Sequence, residues 1–277
     1  MNRIQELELE ILKEFDRICR ENGLSYTVAG GTMIGAIRHK GFVPWDDDID
    51  IGMSVSDYRK FCRIAPKQLG DRFFFQNSYT DMWDVSIAKI RMNGTTAIEE
   101  GSEKYDYHHG IWIDIFPMTG VKDSDRWVKI MNALFHVRNM LLKDLVYKDQ
   151  YEAYPDIYKK IKMIMKIPLG VRRFFCKILD RIVLRDFRKC KYFCYVLAGG
   201  NIFREDLSEY AEKTVETQFE DLQVQIAEGY DEILTHRYGD YMTPPPVEAR
   251  NGGGHVISII DTENDYKKYL KREEKNG

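Results

Sequence analysis

At 277 residues and 44% hydrophobic content, the chain is long enough for one large domain or two small ones around a sizeable core, which excludes disorder as its main state. A formal net charge of −3 excludes a global pull toward nucleic acid, so any basic site must be local. No run approaches the ~20 apolar residues that span a bilayer, residues 1–26 lack the apolar stretch of a signal peptide, and five scattered cysteines predict reduced thiols in a cytoplasmic protein.

Ile4, Leu7, Ile11, Phe15 and Ile18 recur at helix period and predict a helix over 4–19, stopped by Asn22-Gly23. Tyr26–Ala29 reads as a short strand running into Gly30-Gly31, and Thr32–Ile37 as a short helix. Lys40-Gly41 and Pro44 mark a turn. Ile49 and Ile51 then alternate with Asp48 and Asp50, which is strand period. Residues 54–65 read as helix, Phe73–Phe75 and Val85–Ile90 as strands, and Ile111–Phe116 as a strand closed by Pro117. From about 123 to 195 the pattern is helical and rich in Lys and Arg, residues 205–237 read as helical in parts, and Tyr241–Gly254 is a Pro- and Gly-rich loop. This predicts an α/β (α+β) core over 1–120, a basic helical insertion over 121–195, and a C-terminal region, 196–277, that completes the core. Cys190 and Cys194 share a face if helical, but a zinc site would need two more ligands that are not nearby.

The chemistry centres on Asp46-Asp47-Asp48-Ile49-Asp50-Ile51. In an extended strand, residues two apart point the same way, so Asp48 and Asp50 project together while Ile49 and Ile51 face the core. Two like charges on one face call for a cation between them, and Mg²⁺ or Mn²⁺ takes such oxygen ligands together with substrate phosphates. Asp114, a charge inside the apolar run Trp112–Phe116, needs a partner and would complete a three-carboxylate metal site. A calcium loop over 46–57 does not fit, since its sixth position is Ile51 and its twelfth Asp57. Upstream, Gly30, Gly31 and Thr32 let backbone approach a phosphate. Arg38 and Lys40 after that turn, and Lys89 and Arg91 on one strand face, are candidate phosphate contacts. His39 stands between Arg38 and Lys40 as a further phosphate contact, and His108 or His109 could bind phosphate or serve as a base, although a surface loop is the commoner place for such histidines.

The run Ala29-Gly30-Gly31-Thr32-Met33-Ile34-Gly35-Ala36-Ile37-Arg38-His39-Lys40-Gly41-Phe42-Val43-Pro44-Trp45-Asp46-Asp47-Asp48-Ile49-Asp50-Ile51 resembles the LicD family of phosphotransferases. Gly110–Pro117 around Asp114 resembles a second family block, and Tyr230–Leu234 with Tyr238–Met242 and Pro244-Pro245 a third. Ala227 stands where the family usually has proline, so no donor contact is carried over there. The family includes bacterial phosphocholine transferases and is similar to fukutin-related ribitol-phosphate transferases. The resemblance implies a nucleotidyltransferase-type fold with a mixed sheet, and transfer of a phospho-alcohol from a CDP-alcohol donor to a sugar hydroxyl of a glycan or lipid-linked glycan such as teichoic acid or lipopolysaccharide, with CMP released. It implies that Asp48 and Asp50 are metal ligands and Asp114 the third acid.

Two other functions remain open on the residues: nucleotidyl transfer to a small molecule or sugar, and a non-catalytic glycan- or membrane-binding protein. The intact Asp48, Asp50 and Asp114 set argues against the second, since an unneutralised acidic cluster is costly. Between Lys159 and Lys191 the basic residues are opposed only by Asp180 and Asp186, and Phe175, Ile178, Leu179 and Ile182 form one helical stripe. That pattern predicts either ordinary packing or peripheral contact with an anionic inner-membrane face. No recognition motif accompanies the charge, so nucleic acid is not an expected partner.

Overall fold

The computed structural model describes residues 1–81, 87–103, 105–142, 155–196, 201–250 and 256–270. Helix α1 (Arg3–Glu21) opens with a reciprocal cap, in which Asn2 and Gln5 each bond the other's backbone N–H. It ends at Asn22 and Gly23, the latter in the left-handed region at φ 59°. Its stripe of Leu7, Ile11, Phe15 and Ile18 is buried, as the periodicity predicts. Strand β1 (Thr27–Val28) runs into α2 (Gly30–Ile34), and a π-turn (Gly35–His39) follows directly. Strand β2 (Asp50–Ser54) leads into α3 (Val55–Gln68), capped by Ser54 on the Asp57 amide.

Strands β3 (Phe73–Gln76), β4 (Ala88–Met92), β5 (Thr96–Glu99) and β6 (Trp112–Val121) come next. The part of the expected Val85–Ile90 strand before residue 87 lies outside the described residues. Pro117 does not close β6, contrary to expectation. The strand runs on to Val121 because Pro117 falls at a handover: β4 pairs with β6 as far as Ile115, and β7 (Tyr192–Tyr195) takes over from Met118. An imide nitrogen with no hydrogen to donate is tolerated at such a gap.

Helices α4 (Asp125–Leu142), α5 (Pro155–Ile164) and α6 (Leu169–Val183) form the basic region, with residues 143–154 outside the described residues. The expected helix does not extend to 195. Residues 192–195 are strand β7, where Phe193, Cys194 and Tyr195 are buried, so Cys190 and Cys194 do not share a helix face. All five cysteines are free. Beyond β8 (Asp206–Leu207), the region expected to be helical in parts is a hairpin over its middle, β9 (Thr214–Phe219) and β10 (Leu222–Ala227), and is helical at its end, α7 (Tyr230–Tyr238); β11 (Ile257–Asp261) follows. The alternation Val224, Ile226 inward and Gln223, Gln225 outward is the hairpin's signature.

The main sheet has seven strands in the order β1-β2-β6-β4-β3, with β7 on β6 and β8 on β7. Only β2 and β6 are parallel, so the sheet is mixed and the fold is α+β with seven α-helices among the described residues. One large core joins α1, α3, both faces of the sheet and the hairpin. A second, smaller core, with Val121, Met131, Phe135, Val183 and Cys194, fastens α4 and α6 to the end of β6 and β7. On α6 the buried residues are Arg172, Cys176 and Val183, whereas Phe175 and Ile182 of the expected stripe lie exposed.

Candidate active site

The parallel pairing of β2 and β6 puts Asp50 directly beside Asp114, and the antiparallel pairing of β6 and β4 puts Asp114 beside Lys89. Ile49 and Ile51 are fully buried, while Asp50 between them is half-buried; Asp48 precedes the strand and groups with Asp46 and Asp47. The backbone around Asp50 is pinned: its N–H donates to Thr32 Oγ1 at 2.9 Å, and its carbonyl accepts from the Ala29 N–H at 2.9 Å. Asp114 is 3% exposed. The Lys89 ammonium lies 3.0 Å from its Oδ1 and donates to Oδ2 at 3.3 Å, and the Trp112 indole N–H donates to the same Oδ2 at 3.1 Å. Lys89 Nζ also sits 4.1 Å from the centre of the Trp112 ring. Burial pulls the lysine's proton affinity down, and the Asp114 charge opposes that pull.

Immediately before β2 the chain turns through Asp46, Asp47 and Asp48, each of which offers a carboxylate oxygen within 4.8 Å of the other two. This is the one such group of metal-capable side chains among the described residues, and Asp50 and Asp114 stand beside it rather than in it. The turn is held by Asp46 N–H to Val43 O at 3.0 Å and by the Gln5 amide of α1 donating to Asp46 O at 3.0 Å. Burial, then the charges of Asp48 and Asp47, push the Asp46 carboxyl up to about 7. One helical turn after Gln5, Glu8 is also buried. Burial, followed by the charges of Asp48, Asp47, Asp46 and Asp114, holds its carboxyl well above the usual range.

The two glycines make room for these acids. Gly30 has φ +53°, and a Cβ there would lie 2.9 Å from Asp50 Oδ2; a Cβ on Gly31 would lie 2.1 Å from Asp46 Oδ2. The bare backbone expected to meet phosphate thus meets carboxylates in this structure. Gly31 and Asp46 also line a cavity of about 410 Å³, walled by Arg38, Trp45, Tyr238 and Tyr241. Arg38 donates to Tyr241 O at 2.5 Å and to His39 Nε2 at 2.9 Å, while Arg250 lies 4.4 Å from the Trp45 ring centre. Burial, opposed by Arg237 and then reinforced by the Asp50 and Asp46 charges, raises the Tyr238 hydroxyl's proton affinity. A larger cavity of about 620 Å³ lies between α3 and α6, lined by Arg59, Lys60, Arg63, Lys177 and Arg181, and none of the acids above touches it. The smaller cavity is the one that Asp46 lines.

The remaining expected site residues fall elsewhere. Lys40 is exposed, with φ 58°, at the end of the π-turn, and its carbonyl accepts from the Glu220 N–H. Arg91 is fully buried and donates to Gln76 Oε1 at 2.5 Å and Gly110 O at 2.8 Å, so it braces the sheet. His108 and His109 are neither surface loop residues nor open bases. His108 stacks on Phe74 and bonds Asn93, and burial, reinforced by Arg91, takes it down to about 3. His109 is buried against Tyr105 O. Sequence reasoning missed Asp46, Asp47, Glu8 and Tyr238. Glu8 carried a legible signal, because Ile4, Glu8, Ile11 and Phe15 share one helical stripe and a charge there is out of place.

The mixed sheet thus brings a strand-borne aspartate pair, Asp50 and Asp114, next in the chain and the sheet to the Asp46-Asp47-Asp48 carboxylates. The family model described as LicD/FKTN/FKRP, nucleotidyltransferase domain, matches residues 23–148, which contain all five aspartates of the site. Over 247 residues the chain is 30% identical to the lipopolysaccharide cholinephosphotransferase LicD of Haemophilus influenzae, covering 87% of this chain and 90% of that protein. The chain belongs to the LicD family. It is also 26% identical over 110 residues to the ribitol 5-phosphate transferase FKRP of Mus musculus and of Homo sapiens, which is 38% of this chain and 20% of each of theirs.

Proposed function

We propose that the protein transfers a phospho-alcohol from a CDP-activated donor to a hydroxyl of a cell-surface glycan precursor, with release of CMP and with Mg²⁺ or Mn²⁺ at the aspartate turn. One observation carries the metal: Asp46, Asp47 and Asp48 each offer a carboxylate oxygen within 4.8 Å of the other two, and Asp50, paired in register with Asp114, follows two residues on. Such an all-oxygen donor set suits a hard divalent ion. The printed names of the relatives, a cholinephosphotransferase and a ribitol 5-phosphate transferase, support the choice of a phospho-alcohol as the group moved.

Asp46, Asp47, Asp48 and Asp50 would hold the ion, which when bound neutralises the phosphates of donor and transition state. Asp114 already accepts from Lys89 and Trp112, so its part is to orient the edge of the site. Asp46 lines the cavity in which donor and acceptor would meet beside the ion. The Trp45 ring and Tyr238 offer surfaces for a nucleobase or sugar beside it.

The acceptor can be met at a lipid surface. Phe174 and Phe175 on α6 are 61% and 51% exposed, with Lys177 and Arg181 close along the same helix. No helix among the described residues is long and apolar enough to cross a membrane, so contact would be peripheral. The deciding assay offers CDP-choline, CDP-ribitol, CDP-glycerol and nucleoside triphosphates with Mg²⁺ or Mn²⁺ and a glycan acceptor. CMP release with any CDP-alcohol supports this function; pyrophosphate release from a triphosphate, with no CMP, would replace it by nucleotidyl transfer.

A further inference from the structure

Glu8 lies outside the matched segment 23–148 and on a helix that the chemistry above does not otherwise use. Its side chain is 3% exposed, and its Oε2 has no hydrogen-bond partner among the described residues. Native proteins rarely leave a buried carboxyl oxygen without a partner, and such an atom usually marks a ligand or a catalytic role. The strongest charges acting on Glu8 belong to Asp48, Asp47, Asp46 and Asp114, all of its own sign. Packing alone would be served better by an apolar residue at this point of the α1 stripe.

The surroundings give the carboxyl a direction. Glu8 and Asp47 share a small cavity of about 30 Å³ whose other walls include Ile4, Ala97, Ile111 and Trp112. That volume accommodates a water or two. Two routes lead from it into the site: through Asp47 to the aspartate turn, and through Trp112, whose indole N–H donates to Asp114 at 3.1 Å. One turn earlier on the same helix, Gln5 already grips the Asp46 carbonyl. Helix α1 therefore presents two polar residues, three apart, to the back of the aspartate turn.

We propose that Glu8 is a positioning carboxylate of the cation site, accepting a hydrogen bond from a water on the ion across the cavity it shares with Asp47. This rests on the metal reading of the aspartate turn. Outer partners of this kind typically contribute 10–100-fold to metal affinity, and Mg²⁺ and Mn²⁺ commonly keep several of their waters.

Mn²⁺ binding, measured by titration calorimetry on the wild type and on Glu8→Gln, tests it, with the rise in melting temperature on adding Mn²⁺ as a second readout. Glu8→Gln keeps the shape of the side chain, so the metal-free melting temperature should hold while Mn²⁺ affinity falls about tenfold or more. Equal affinity in the two proteins would overturn the role of Glu8 and leave the metal reading standing. No Mn²⁺ binding by the wild type would overturn both. Should Glu8→Gln fail to fold, wild-type crystals soaked in Mn²⁺ decide: a Mn²⁺-bound water at hydrogen-bond distance from the Glu8 carboxylate supports the role, and a carboxylate turned away from the ion overturns it.

Discussion

The seven-stranded sheet and the helical region of α4 to α6 solve opposite problems. Around Asp114 the chain buries charge: Lys89, Asp114, Arg91 and Glu8 are all enclosed, each at a cost that burial imposes on an ion. On α6 it does the reverse and exposes Phe174 and Phe175 between cations. Neither arrangement is what stability alone would choose, since a buried ion pair rarely adds to stability and an exposed phenylalanine adds nothing. The contrast locates two places where stability alone does not account for the residues, and these are the two to which the proposed function assigns the reacting site and the contact surface.

The hardest blow to this contrast is on turnover. Asp50→Asn or Asp48→Asn should cut the rate by on the order of a thousandfold, the scale of losing several kcal/mol of charge stabilisation, while the metal-free protein melts no lower than wild type. Near-normal turnover in either variant would return the cluster to ordinary surface acid.

Next in size is the ion pair beneath it. Lys89→Met leaves Asp114 buried without its counter-charge and should cost about 3–5 kcal/mol in urea unfolding. Lys177→Ala on α6, a solvated cation, should cost within about 0.5 kcal/mol. Equal losses at the two positions would erase the distinction between the regions.

A third test uses pH. The folded Asp46 holds its proton up to about 7, above the ordinary carboxylate range, so the folded state binds more protons than the unfolded chain between those values. Its contribution to stability is therefore present at low pH and is lost as pH rises toward 7. Without divalent ion, wild type should lose stability between about pH 4 and 7 relative to Asp46→Asn, and Mg²⁺ should reduce that gap most at the upper end. Parallel stability profiles would remove Asp46 from the turn's electrostatics.

The smallest effect on the folded state belongs to the helical region. Phe174→Ser with Phe175→Ser should change unfolding free energy by less than about 0.5 kcal/mol yet sharply reduce co-sedimentation with anionic vesicles at low salt. Unchanged partition would make the exposed rings incidental.

What could be read in advance follows the range of each interaction. The alternation of Ile49 and Ile51 with Asp48 and Asp50 is a two-residue signal, and it found the strand from Asp50 on and the burial of both isoleucines, while Asp48 lies just before the strand. The stripe of α1 and its Asn22-Gly23 end were equally local. Tyr192–Tyr195 was hidden because its strand identity comes from β6, far away in the chain, and the basic helices before it masked the change of period. Pro117 misled because its tolerance depends on which neighbour β6 has at that point. Hairpin β9–β10 carries proper alternation, but Glu220-Asp221 is a poor turn signature and Glu220 takes φ 54° without being glycine. The basic candidates Lys89 and Arg91 look alike in the sequence; only tertiary packing gives one to Asp114 and the other to Gln76 and Gly110.

The close fit of Gly31 against Asp46 also couples substitutions at the two positions. A methyl group at Gly31 would stand 2.1 Å from Asp46 Oδ2, the far end of a side chain that would have to turn aside. A substitution at Gly31 therefore acts through the direction in which the Asp46 carboxylate points, and its effect should shrink in a chain whose Asp46 has already been replaced by a smaller residue.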